Sequence, residues 1–105
     1  MPSRSRLMLI LCTVCLASAA RADNRASFSC EDGHKFTITF LAAHNNQFAH
    51  LLFAGSKHPI KMKNQGMASG IAYAGGGFEY REWQGKSTLV DARSAKPKET
   101  ACAPN

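Results

Sequence analysis

The chain has 105 residues, a formal net charge of +6 and a 45% share of hydrophobic residues. That length holds one small domain and excludes a two-domain nucleotide-binding enzyme, a helical solenoid and a multi-pass membrane protein. A basic chain of this size points first to nucleic acid or to a membrane surface. Much of that signal, however, comes from one N-terminal stretch.

Residues 1–22 have the form of a secretory signal peptide. Arg4 and Arg6 precede a nearly unbroken apolar run from Leu7 to Ala20, and Ala20-Arg21-Ala22 fits an A-x-A cleavage site before Asp23. The run falls short of the roughly 20 apolar residues that a spanning helix needs, so no stable membrane anchor is expected. Cys12 and Cys15 lie inside it, but lipid attachment favours small residues just before the cysteine, and here Leu11 and Val14 stand there. Residues 23–105 are therefore expected to form the working domain. Without Arg4, Arg6 and Arg21 its balance is 10 basic against 7 acidic residues, or +3.

Export leaves two cysteines, Cys30 and Cys102. An even count in an oxidising compartment predicts one disulfide tying together the two ends of the domain. Neither cysteine belongs to a C-x-x-C motif, so a redox pair or metal site is not expected.

Along the domain the pattern is one of strands and turns. Ala26 to Cys30 is followed by the turn-like Glu31-Asp32-Gly33-His34 and then by Phe36-Thr37-Ile38-Thr39-Phe40, whose period of two marks a half-buried strand and predicts a hairpin. Phe48 to Ala54 is a second apolar run. Residues 42–53 also admit a helix, but Asn45-Asn46 reads better as a turn. Pro59 to Met62, Ile71 to Ala74, Phe78 to Trp83 and Thr88 to Asp91 complete the set, separated by Gly75-Gly76-Gly77 and Gly85. Such short, evenly spaced strands predict an all-β sandwich or barrel. The tail from Ser94 to Asn105 is polar, contains Pro97 and Pro104, and is expected to be held only through Cys102.

Catalytic chemistry finds little footing. Glu79 and Glu82 are three positions apart, which puts them on opposite faces of a strand, and Glu31 and Asp32 sit where turn carboxylates are ordinary. No serine occupies a G-x-S-x-G elbow. His34, His44, His50 and His58 lack the i,i+2 or i,i+4 spacing of a metal site, and no cofactor motif is present. A cell-wall hydrolase is thus disfavoured, and a non-catalytic envelope module for a small ligand or metal remains the alternative to a protein-binding role.

Four short segments, in order, carry a resemblance. Phe28-Ser29-Cys30-Glu31-Asp32-Gly33-His34-Lys35-Phe36 matches an aromatic, x-C-x-x-G-x-x-F pattern; Ala68-Ser69-Gly70-Ile71-Ala72-Tyr73 matches A-S-G-x-x-Y; an aromatic strand then runs to Trp83 and Gly85; and Cys102 closes the series. Together they resemble the membrane-bound and periplasmic inhibitors of C-type lysozyme of Gram-negative bacteria. The resemblance implies a small antiparallel β-barrel of about eight strands, a periplasmic location, and C-type lysozyme as the protein partner, with no enzymatic activity and no cofactor. It also implies a homodimer, for which an exposed strand edge would serve.

The same resemblance implies where the inhibitor works. Ser69 and Gly70 would enter the lysozyme cleft, Ser69 donating a hydrogen bond to a catalytic carboxylate and Gly70 allowing close backbone approach. Tyr73 would either pack beneath this loop or contribute an interface aromatic. The family's lysine before the glycine of W-x-K-G is replaced here by Gln84, so the cationic contact falls to Gln84 as a neutral donor, to Lys86 or to Arg81. A lysozyme is typically basic, so a domain of +3 gains little from whole-body steering and depends on local contacts.

Overall fold

A computed structural model describes residues 23–105; the expected signal peptide, including Cys12 and Cys15, lies outside the described residues. Eight strands, Asn24–Cys30 (β1), Lys35–Phe40 (β2), Phe48–Phe53 (β3), Ile60–Asn64 (β4), Ile71–Gly75 (β5), Phe78–Trp83 (β6), Lys86–Asp91 (β7) and Lys98–Pro104 (β8), pair in sequence order. All neighbours are antiparallel, and β8 returns to β1 to close a barrel. Adjacent antiparallel strands need only short connections, which the turn residues provide. The all-β barrel is therefore the observed architecture.

Alternation does most of the folding. In β2 the residues Phe36 and Ile38 point inward and are 3% and 0% exposed, while Lys35, Thr37 and Thr39 face out. In β3 the inward positions are Ala49, Leu51 and Phe53, and in β4 the central one is Met62. Rings fill the lumen: Tyr80 lies 5.5 Å from Phe28, 6.0 Å from Phe36 and 6.2 Å from Phe40. Centroid separations of this size with tilted planes are the favoured aromatic arrangement. The lumen is a packed core.

Asn45 and Asn46 have positive φ angles, in the 3-10 turn Ala43–Asn46, which prevents a helix across residues 42–53 and lets β3 begin at Phe48. The Cys30–Cys102 disulfide forms as expected, across paired positions of β1 and β8.

Two expectations are corrected. The polar tail is not held by Cys102 alone: Lys98–Pro104 forms β8, paired with β7 from Ser87↔Cys102 to Asp91↔Lys98 and with β1 from Phe28↔Pro104 to Cys30↔Cys102. Backbone ladder bonds hold it, and these need no apolar alternation. Closure also removes the open strand edge on which pairing of two copies was expected to rest, because every described strand has a partner on both sides.

Candidate functional site

The segment joining β4 to β5 carries Ser69 and Gly70. Its base is tied down: the Gln65 amide donates to the Ala72 carbonyl at 2.8 Å, the Gly66 amide to Asn64 Oδ1 at 2.7 Å, and the Gln65 side-chain amide to the Lys63 carbonyl at 2.9 Å. Beyond that base Met67, Ala68 and Ser69 are exposed. The segment then turns back onto β6 at Gly70, where φ is +80° and a Cβ would lie 2.1 Å from the Glu82 carbonyl oxygen. Only glycine fits there, both for the backbone sign and for the contact.

Gly70 thus fixes the height at which Ser69 stands. The β5–β6 ladder ends where Ile71 pairs with Glu82, and Gly70 packs just beyond it against the Glu82 carbonyl and the Trp83 Cα. Ser69 is exposed, and its hydroxyl makes no hydrogen bond within the described residues. A short side chain with an unused donor, on a loop pinned at both ends, can meet an acceptor at little cost in ordering.

The neighbouring tip is the β6–β7 hairpin. Trp83 pairs with Lys86, leaving Gln84 and Gly85 as a two-residue turn with φ of 50° and 76°. Positive φ at both central positions is the type I′ signature, which matches the twist of the flanking strands. Gln84 and Lys86 are exposed at this tip.

The structure separates the remaining candidates. Arg81 faces outward from β6 and is committed, its Nε to Glu79 and its Nη1 to Glu99 at 3.5 Å. Tyr73 is 2% exposed and donates its hydroxyl to the Asn46 carbonyl. Of its two expected roles, packing beneath the loop is the one this placement matches. Ser69, Gly70, Gln84 and Lys86 come together at one end of the barrel.

Sequence reasoning did not single out Trp83 and Met67 as candidate site residues. Both are large apolar side chains left open, 51% and 41% exposed, and they border the same shallow depression as Arg81, Lys86, Thr88 and Glu99. The signal in the chain was the odd parity of Trp83 against the inward Phe78, Tyr80 and Glu82 on the same strand.

Below the tip, inside the barrel, Tyr80, Glu82 and Ser87 form a small polar group. The Tyr80 hydroxyl donates to Glu82 Oε2 at 3.0 Å and lies 3.3 Å from Ser87 Oγ, which is left to donate to it. Burial pushes the Tyr80 phenol up to about 12, with the Glu82 carboxylate adding to the effect. Glu82 therefore serves the interior while Glu79 serves the outer wall, so the two carboxylates do not converge. Among the described residues no three His, Cys, Asp or Glu side chains gather as metal ligands.

The described residues thus form a closed barrel with one pinned loop at its end. Comparison with known families specifies the class: the family described as membrane-bound lysozyme-inhibitor of c-type lysozyme matches residues 28–97. The chain belongs to that family of non-catalytic inhibitors, whose members are membrane-bound or periplasmic. The matched span runs from Phe28 in β1 to the segment before β8, and it contains the whole display loop and the β6–β7 hairpin. No curated protein matches the chain, and no solved structure does.

Proposed function

We propose that this protein is exported to the periplasm, loses its leader near Ala22, and blocks peptidoglycan hydrolysis by inserting the Ser69–Gly70 loop into the cleft of a C-type lysozyme. One observation carries the reading: Gly70, pressed onto the Glu82 carbonyl, holds Ser69 outward with a hydroxyl that nothing in the described chain uses. A lysozyme cleft holds two carboxylates, and a hydroxyl donating to an ionised acceptor contributes roughly 1.5–3 kcal/mol.

Lys86 is the cation of this site. Arg81 is neutralised by Glu79 and Glu99, whereas Lys86 is exposed at the hairpin tip, directly across from Trp83. Gln84, at the tip beside it, supplies a neutral donor. Trp83 and Met67 then form the apolar rim, and an exposed tryptophan beside a display loop is the residue type that dominates binding energy at interfaces.

The test is inhibition of cell-wall lysis by a C-type lysozyme. Ser69→Ala is expected to weaken inhibition by about 10- to 100-fold, the factor that follows from losing one charge-assisted hydrogen bond, with no change in thermal midpoint. Lys86→Ala is expected to weaken it as well, and Arg81→Ala to weaken it least. Absence of inhibition by the unaltered protein at micromolar concentration refutes the proposal.

A further inference from the structure

Charge in this chain is segregated to a degree that its net value conceals. Residues 33–78 contain no aspartate, glutamate or arginine, but they hold Lys35, Lys57, Lys61, Lys63 and all four histidines. These residues span β2 to β5. The carboxylates lie elsewhere, Asp23, Glu31 and Asp32 before β2 and Glu79, Glu82, Asp91 and Glu99 from β6 onward.

Folding turns this run into a face. Lys61 and Lys63 point outward from β4, and across the ladder they meet His50 and Phe48 of β3. The Lys61 ammonium stands 4.5 Å over the Phe48 ring, and Leu52, two residues along the same outer row, is 37% exposed. Among the described residues none of the four lysines takes part in an ion pair. In the closed barrel β3 and β4 lie across from β7 and β8, so this face is on the far wall from Glu99 and Asp91.

We infer that the outer wall of β2–β4 docks reversibly on an anionic phospholipid surface. The residue types select the partner. Long lysines around an exposed leucine and a half-buried phenylalanine suit a bilayer surface, where the aliphatic side chain enters the headgroup layer and the ammonium groups reach the phosphates. A nucleic-acid site would favour arginine forks and open stacking rings; this wall has no arginine, and Lys61 covers the Phe48 ring. The display loop lies at the barrel end, off this wall.

Co-sedimentation of the protein with phosphatidylglycerol-containing vesicles tests the inference. Binding is expected at low salt, is released at high salt, and is absent on pure phosphatidylcholine. The double variant Lys61→Gln/Lys63→Gln is expected to bind about 10- to 30-fold more weakly. Lys96→Gln/Lys98→Gln, with the same net charge change on the opposite side, is expected to bind nearly as the unaltered protein does. All four substitutions are at exposed positions, so circular dichroism and lysozyme inhibition are expected to be unchanged and report that the barrel is intact. Equal losses in the two double variants would overturn the inference in favour of undirected charge. So would equal binding to both vesicle types, or tighter binding to duplex DNA than to anionic vesicles at the same salt.

Discussion

Adjacent residues in the display loop carry separable jobs. Ser69 contributes a hydroxyl and little else to the fold, while Gly70 contributes a backbone shape that no other residue can take without moving the Glu82 carbonyl. Gly70→Ala is therefore expected to lower inhibition and also to lower stability, by about 1–3 kcal/mol, the usual cost of a side chain held at positive φ. Ser69→Ala lowers only the former, so paired melting and inhibition measurements distinguish them. At the hairpin tip, Gln84 occupies a left-handed position that asparagine takes more readily. Gln84→Asn is expected to raise stability by about 0.5–1 kcal/mol, read as a shift in denaturant midpoint. At this scale the sequence was legible where a residue's type constrains its conformation, as at Gly70. It was less legible at Tyr73, where an aromatic residue suits a core and an interface equally and only the position of Asn46 decides.

Among the elements, the β7 exit shows how a turn is stabilised by charge. Asp91 accepts hydrogen bonds from the Arg93 amide at 3.1 Å and from the Arg93 Nε and Nη2 at 2.9 and 2.8 Å, while the Arg93 guanidinium also rests 4.5 Å over the Phe78 ring. Those hydrogen bonds hold the Asp91 carboxyl down at about 2, against an ordinary value of 3.8. Below the ordinary value the unfolded chain takes up the proton first, so the pair's stabilisation is complete above about pH 4 and is lost as pH falls through about 2. Asp91→Asn is expected to flatten the fall in denaturant midpoint across that window. The strands themselves were readable in proportion to their alternation. Phe36 to Phe40 announces its two faces, whereas Lys98–Pro104 shows only Thr100 and Cys102 as half-buried positions and reads as a tail. Its place in the sheet comes from backbone pairing to β1 and β7, which leaves almost no compositional trace.

For the molecule as a whole, net charge was a poor guide because it averages two unlike halves. The acid-free stretch from 33 to 78 is visible in the chain, but it becomes one wall only when β2, β3 and β4 lie side by side. The disulfide was legible because the expected signal-peptide cleavage would leave two cysteines and so one pairing. Its weight is also calculable: with 72 positions between Cys30 and Cys102, constraint of the unfolded chain contributes roughly 4 kcal/mol. Cys30→Ala/Cys102→Ala is expected to lose about that amount in denaturant unfolding, with inhibition retained in the fraction that stays folded.

Closure of β8 onto β1 also sets a clock. Phe28 pairs with Phe36 of β2 on one side, but its partner on the other side, Pro104, arrives only with the last strand, so the seam that completes the barrel joins the two most distant parts of the domain. Contacts of such separation form slowly, because the intervening chain must be gathered before they return any energy. A chain emerging in order therefore assembles its hairpins early but stays an open, curling sheet until its last strand is available. The covalent cross-link, between paired positions of that seam, comes with the final stitch.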